Sequence, residues 1–145
     1  MKNRVKMIMQ PIRMRILLNL SNNKLTPREL SEQLTDVPQA TLYRHIKALY
    51  EAELLQVVEE RQVRNVTEKV YTVAPGAASL SAEDLAKATA DDHMRYFTVF
   101  VSSLLADFSR YLEGDEIDLR KDGVGYRQVP VNLTDEEFTE FVQGL

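Results

Sequence analysis

The chain of 145 residues contains no cysteine. Disulfide bonds, thiolate zinc sites, iron–sulfur clusters and cysteine nucleophiles are therefore excluded together. Long hydrophobic runs are also absent, because the longest nearly apolar stretch, residues 97–106, is far shorter than the roughly 20 residues of a membrane span. The basic N-terminus lacks the apolar core and cleavage site of a signal peptide. These absences favour a soluble, cytoplasmic protein with no membrane partner.

Residues for catalysis or metal binding are scarce. The chain has two histidines, His45 and His93, so any Ser-His-Asp arrangement or transition-metal site would depend on them. Asp91 and Asp92 precede His93, but a solvated acidic helix turn is the simpler interpretation of that cluster. There is no glycine-rich phosphate loop, and the acidic residues 115–118 lack the spacing of a calcium loop. We therefore predict no enzymatic activity, no metal and no cofactor.

Charge is divided unevenly along the chain. The net charge is -4, yet residues 1–74 hold 12 Lys and Arg against 8 Asp and Glu, whereas residues 75–145 hold 6 against 14. A basic half followed by an acidic half favours one surface for polyanions and another surface with a different task. We predict two domains, residues 1–74 and residues 75–145.

Helix start signals in the first forty residues predict two helices joined by a short polar loop. Pro11 suits the first turn of a helix, and residues 21–23 end that run. Thr26, Pro27 and Glu29 then form a capping box with proline at the first helical position.

A third helix is predicted after the break at residues 35–38. Leu42, Ile46 and Leu49 recur at helical spacing and should face the core. The opposite face of this helix is then polar, basic and aromatic, and it carries Gln39, Ala40, Tyr43, Arg44 and Lys47.

After residue 55 the hydrophobic period changes to two, which predicts a β-hairpin. Its charged tip, residues 60–68, contains Arg61 and Arg64 but no Asn-Gly pair, so a long, mobile loop is expected. Three helices followed by a hairpin is the element order of a winged helix-turn-helix.

The second half begins with a capping box from Ser81 to Asp84, which predicts one long helix ending near Glu113. Its wide apolar stripe must pack on something, and such stripes are more often core or dimer interface than the lining of a ligand pocket. The residues that we predict at a dimer interface are Phe97, Val101, Leu104, Leu105 and Phe108.

The last thirty residues alternate in polarity around residues 117–119 and 126–133, which predicts short strands. Thr134 should cap a final helix, whose apolar face runs to Leu145 without a stop signal, as in a truncated chain or a docked terminal helix. The predicted fold is mainly α with a small β-hairpin wing. It consists of a winged helix-turn-helix, a long helix and a small α+β C-terminal module.

Segments of the first half resemble a known family. In order they are PIRMRILLNL, LTPRELSEQL, ATLYRHIKALYEAELL and a strand ending in KVYTV. Together they resemble the winged helix-turn-helix transcriptional regulators of the ArsR type, taken broadly, over about residues 8–74. One departure is Glu53, where the family often has glycine before two apolar residues, and a different turn from helix to strand is expected there.

The resemblance implies that the third helix enters the major groove of double-stranded DNA and that the wing touches the backbone or minor groove. The implied DNA contacts are Gln39, Thr41, Tyr43, Arg44 and Lys47 on the helix, His45 near a phosphate or packed beneath the helix, and Arg61 and Arg64 on the wing. The chemistry agrees, because Arg pairs with guanine, Gln with adenine, and Lys or Thr with phosphate.

One such helix reads only a few base pairs, so a homodimer on a pseudo-palindromic operator is expected. Two alternatives stay open at this point. The winged helix could be a protein–protein interaction module without specific DNA binding, because the fold does not determine function. The acidic half could also bind a small-molecule effector.

Overall fold

The structure is a computed structural model that describes residues 4–77 and 80–145. Residues 1–3 of the predicted first domain and residues 78–79 of the following junction lie outside the described residues. The elements are α1 (Arg4–Ile8), α2 (Pro11–Ser21), α3 (Pro27–Gln33), α4 (Gln39–Glu51), β1 (Leu55–Val63), β2 (Val66–Val73), α5 (Ala82–Leu85), α6 (Ala90–Leu112) and α7 (Asp135–Gln143). The chain divides into two compact units, Met1–Ser109 and Arg110–Leu145.

Local capping sets the ends of the first helices, as predicted. Pro11 opens α2, and the side chain of Gln10 accepts a hydrogen bond from the Arg13 N–H at 2.8 Å. At α3 the Thr26 hydroxyl accepts from the Glu29 N–H at 3.2 Å, and the Glu29 carboxylate accepts from the Thr26 N–H at 3.0 Å. The predicted capping box is therefore confirmed. The short helix α1 was not predicted.

Helix α4 buries the apolar side that its sequence predicts, since Leu42, Ile46 and Leu49 lie in the core. Its C-terminal end turns at Glu53, whose φ of 61° lies in the left-handed region that favours glycine. The Leu54 N–H then donates to the Leu49 carbonyl at 2.9 Å, as at a glycine-terminated helix end. The expectation of a different turn at this position is therefore wrong, because the backbone keeps a glycine-type turn although the residue is glutamate.

The wing is longer and tighter than predicted. Strands β1 and β2 pair antiparallel from Leu55 opposite Val73 to Val63 opposite Val66. Arg64 and Asn65 form a two-residue connection with φ values of 50° and 66°. Positive φ at both positions matches the right-handed twist of the strands, as in a type I′ turn. The expected long loop is therefore wrong, because Arg64 and Asn65 supply the tight turn without an Asn-Gly pair.

One hydrophobic core holds the helices and the hairpin together. Its most deeply buried side chains come from α1, α2, α3, α4 and β2, and they include Val5, Ile16, Leu20, Leu30, Leu42, Leu49 and Val70. The loop before α3 also pairs with the hairpin, because Leu25 and Tyr71 exchange backbone hydrogen bonds of 3.1 and 2.8 Å. The wing is thus attached to the helices by packing and by backbone pairing.

The long helix predicted from Ser81 is interrupted. Ser81 and Asp84 form the predicted capping box, but α5 ends at Leu85. Thr89 and Asp92 form a second capping box, with hydrogen bonds of 3.0 and 3.2 Å, and α6 begins at Ala90. The prediction of one continuous helix is wrong because this second box satisfies the first N–H groups of a new helix.

The second unit contains the last residues of α6, the helix α7 and, between them, turns and irregular segments. Thr134 caps α7 as predicted, but the predicted strands at residues 117–119 and 126–133 are not formed, so the C-terminal module is not α+β. A single extended segment needs a paired strand to satisfy its backbone, and no described segment supplies one. Asp118 instead closes a turn by accepting from the N–H groups of Arg120 and Lys121, each at 3.1 Å. No helix in residues 4–77 or 80–145 is long and apolar enough to cross a membrane.

Candidate nucleic-acid interface

The exposed face of α4 is the surface that the sequence predicts. Tyr43, Arg44 and Lys47 are exposed along it, Gln39 is exposed at its N-terminal end, and Thr41 is half-buried. The Gln39 amide donates to the Tyr43 hydroxyl at 3.0 Å. The two residues lie one helical turn apart, and this hydrogen bond orients both side chains. The structure therefore brings these residues together on one polar, basic face.

Lys47 also lies beside an acidic side chain. Its Nζ is 3.9 Å from an Oε1 atom of Glu51, and both side chains are exposed. An exposed ion pair of this length contributes little to stability and is screened by salt. The ammonium group can therefore leave Glu51 for a phosphate at low cost.

His45 does not lie on this face. It is 9% exposed, and its Nδ1 accepts a hydrogen bond from Arg13 Nε at 3.2 Å, which joins α4 to α2. Burial lowers the pKa of His45, and the nearby charges of Arg13 and Arg44 lower it further. Of the two interpretations of this residue, the structure favours packing beneath the helix over contact with a phosphate.

The wing arginines differ in their surroundings. Arg61 donates to Glu29 at 3.0 Å and to Glu59 at 3.2 Å. Both carboxylates raise the pKa of Arg61, and Glu59 has the larger effect. Arg28 of α3 pairs with Glu68 at 3.1 Å, and Glu68 lies opposite Arg61 in the hairpin. Two ion pairs therefore hold the wing against the start of α3. Arg64 lies exposed at the tip of the wing.

A groove of about 400 Å³ runs between α4 and β2. Tyr43 and Lys47 line it, together with residues that the sequence analysis missed. The lining residues that were not predicted to belong to a site are Pro27, Ile46, Tyr50, Glu51, Lys69 and Tyr71. Tyr50 could have been found from its helical spacing, since it lies seven residues after Tyr43 on the same face. Lys69 and Tyr71 could not have been found from the sequence, because β2 lies beside α4 only once the hairpin has folded.

The predicted dimer stripe of α6 lies largely in solvent. Phe97, Leu104 and Leu105 are 63%, 52% and 64% exposed, whereas Val101 and Phe108 are half-buried. Ser103, which points away from the stripe by helical spacing, is buried. The described part of one chain therefore leaves Phe97, Leu104 and Leu105 mostly uncovered and covers Val101 and Phe108 in part.

Another cavity, of about 580 Å³, is lined by residues of α1, α5 and the segments that flank the hairpin. Arg4 and Lys87 contribute positive charge, and Glu53, Glu83 and Asp84 contribute negative charge. Its volume lies in the range of small-molecule sites. In the parts of the chain that the structure describes, no three His, Asp or Glu side chains are grouped to hold a metal ion.

The helix order, the buried side of α4 and the paired hairpin decide the fold. The chain contains a winged helix-turn-helix. A family model described as a helix-turn-helix domain matches residues 8–58, from the end of α1 into β1. Among solved structures, reduced HlyU from Vibrio cholerae N16961 is 28% identical to this chain. The match covers 57% of this chain and 74% of the HlyU chain, with a TM-score of 0.41. None of the curated proteins matches the chain.

Proposed function

We propose that this protein is a sequence-specific DNA-binding transcriptional regulator of the ArsR type, broadly taken, and not an enzyme. The observation that carries the proposal is the exposed basic face of α4 within a helix-turn-helix. Helix α4 has 13 residues, about 20 Å at 1.5 Å per residue, and the major groove is about 12 Å wide and admits a helix. Its apolar side is held in the core, so the polar side is free to face DNA.

Each side chain has a role that its chemistry suits. Arg44 would pair with a guanine, and Gln39 with an adenine. Thr41, Tyr43 and Lys47 would contact phosphates and set the position of the helix. Arg64 at the wing tip would enter a minor groove or contact phosphates, whereas Arg61 would act by holding the wing on α3.

We further propose that residues 1–74 form the DNA-binding domain and residues 75–145 the acidic dimerisation module, with the stripe of α6 as the dimer contact. The exposed Phe97, Leu104 and Leu105 support this assignment, because apolar stripes of this kind are usually covered by a partner. Two copies would place two α4 helices on half-sites about 34 Å apart. The 580 Å³ cavity lined by Arg4 and Lys87 is the site that we propose for a small-molecule effector.

The test is selection of binding sites from random duplex DNA at two salt concentrations, followed by affinity measurements with variants. We expect an inverted repeat and a log-log salt slope near -0.9 per neutralised phosphate. Arg44→Ala should relax the preference at one base position, whereas Lys47→Ala should weaken binding to all sequences. Lys121→Ala, which removes an equal charge from the second unit, is the control.

The competing function is a protein-binding winged helix, which the exposed stripe of α6 would also suit. That function predicts no enriched DNA sequence and full retention of partner binding in the Arg44→Ala, Lys47→Ala double variant. Unchanged DNA affinity in the same double variant would overturn the assignment of α4 as the reading helix.

A further inference from the structure

Helix α7 has an exposed apolar side and an acidic side. Phe138, Phe141 and Val142 share one face at helical spacing and are 58%, 54% and 48% exposed. The helix contains four acidic residues and no basic residue. An amphipathic helix with anchors at i, i+3 and i+4 is a typical ligand for an apolar groove. The acidic side chains restrict that groove to one with positive charge at its rim.

The groove between α4 and β2 has these properties. Its floor is formed by Pro27, Ile46 and the rings of Tyr50 and Tyr71, which meet edge to face with centroids 5.8 Å apart. Its rim carries Lys47 and Lys69, with Glu51 beside Lys47. The apolar floor complements the aromatic side of α7, and the rim, where two lysines outweigh Glu51, complements its acidic side.

We propose that α7 of a second copy of this chain docks in this groove and excludes DNA. The dimensions agree, because the groove follows α4 from Tyr43 to Tyr50 for about 10 Å, whereas Phe138 to Val142 spans about 6 Å. Tyr43 and Lys47 line the groove and also belong to the face that we propose for DNA, so the two ligands compete. This competition rests on the proposed function, whereas the docking itself does not.

The consequence is regulation by protein concentration. At high concentration the α7 helices would occupy the grooves, and an operator would have to displace them. Tyr43 and Lys47 would then be released for DNA only as α7 leaves. Because the contact joins an acidic surface to a basic one, salt should weaken it, as it weakens DNA binding.

The first test measures docking without DNA. A fluorescein-labelled peptide of residues 131–145 is titrated with the full-length Phe138→Ser, Phe141→Ser variant, whose own α7 lacks the aromatic anchors. We expect the anisotropy to rise to saturation as protein is added. A Tyr50→Ala, Lys69→Ala change in the same protein should lower the affinity for the peptide about tenfold or more. A peptide with serine at both phenylalanine positions is the matched control. Absence of binding, or binding that the groove variant leaves unchanged, would overturn the docking proposal.

The second test measures competition with DNA. The Phe138→Ser, Phe141→Ser protein keeps its charge, so general repulsion from DNA is the same as in the wild type. We expect this variant to bind DNA several-fold more tightly at micromolar protein, and the 131–145 peptide to reverse the gain. Gln143→Ala, on the other side of α7, should behave as the wild type. Equal DNA affinity in all proteins would refute exclusion of DNA, whereas absence of DNA binding in every protein would refute the proposed function and leave the anisotropy result to decide docking.

Discussion

Arg13 Nε donates to Nδ1 of His45 across 3.2 Å, so a partly buried hydrogen bond joins α2 to α4, the helix proposed to read DNA. The bond requires an unprotonated Nδ1, because a protonated imidazole has donors on both nitrogens. Burial and two neighbouring guanidinium groups favour the neutral ring. The orientation of α4 therefore depends on a histidine that does not itself face the DNA.

Acidification should destabilise the fold through His45. Its pKa is lower in the folded chain than the ordinary value near 6.5, so the unfolded chain binds the proton first. The contribution is fully present above about pH 6.5 and is lost as the pH falls from there toward the lowered pKa. Denaturant unfolding should therefore show that the free energy of unfolding falls as the pH is lowered from 7.5.

The control for this pH effect is His45→Asn, whose amide oxygen can accept from Arg13 without titrating. We expect a flatter pH dependence in this variant than in the wild type, since other titrating groups contribute equally to both. Identical slopes in the two proteins would show that His45 does not couple folding to pH.

Replacing the left-handed glutamate at the end of α4 should stabilise the protein. A non-glycine residue in this conformation costs about 1–2 kcal/mol, and glycine recovers that cost less its own entropy of about 0.5–1 kcal/mol. Glu53→Gly should therefore raise the free energy of unfolding by about 0.5–1 kcal/mol in urea titrations. Glu53→Ala should give no such gain, because alanine has the same steric conflict. A gain of equal size from alanine would locate the effect in the glutamate charge.

Loss of the ion pair between Arg61 and Glu29 should loosen the wing. The pair lies 3.0 Å apart and, with Arg28 and Glu68, links the hairpin to α3. We expect Arg61→Ala to speed hydrogen exchange of the backbone amides near the tip of β1 and to weaken binding to all DNA sequences alike. Arg64→Ala removes the same charge at the turn without touching α3, so it should leave exchange unchanged. Faster exchange in both variants would point to charge rather than anchoring.

A charged substitution in the α6 stripe should dissociate the proposed dimer. Leu105 is 64% exposed in one chain, so Leu105→Glu should be tolerated by the monomer but would bury a carboxylate at the interface. We expect sedimentation velocity to show a shift toward monomer and a loss of affinity for a two-half-site operator. Leu18→Glu is the matched control, since Leu18 is equally exposed on α2. Dissociation by both substitutions would move the interface away from α6.

Much of the N-terminal fold could be predicted because its signals are local. A capping box joins residues three positions apart, as at Thr26 and Glu29, and the buried side of α4 follows from one helical period. The same logic placed the exposed face of Arg44 and Lys47 correctly. It failed at Thr89, where a second box was not recognised, and at Arg64 and Asn65, where a tight turn forms without glycine.

The sequence by itself thus determined where α2, α3, α4 and α7 begin, which side of α4 is apolar and where basic and acidic residues concentrate, because these properties depend on neighbours within about one helical turn. Only the tertiary structure decided that His45 accepts a hydrogen bond from Arg13, that Arg61 forms an ion pair with Glu29, and that Lys69 lines the groove beside α4. These contacts join distant parts of the sequence, since Arg13 and His45, like Glu29 and Arg61, are 32 positions apart. They exist only once the core has brought the helices and the hairpin together, and the alternation at residues 117–133 forms no strand because the described chain offers it no paired edge.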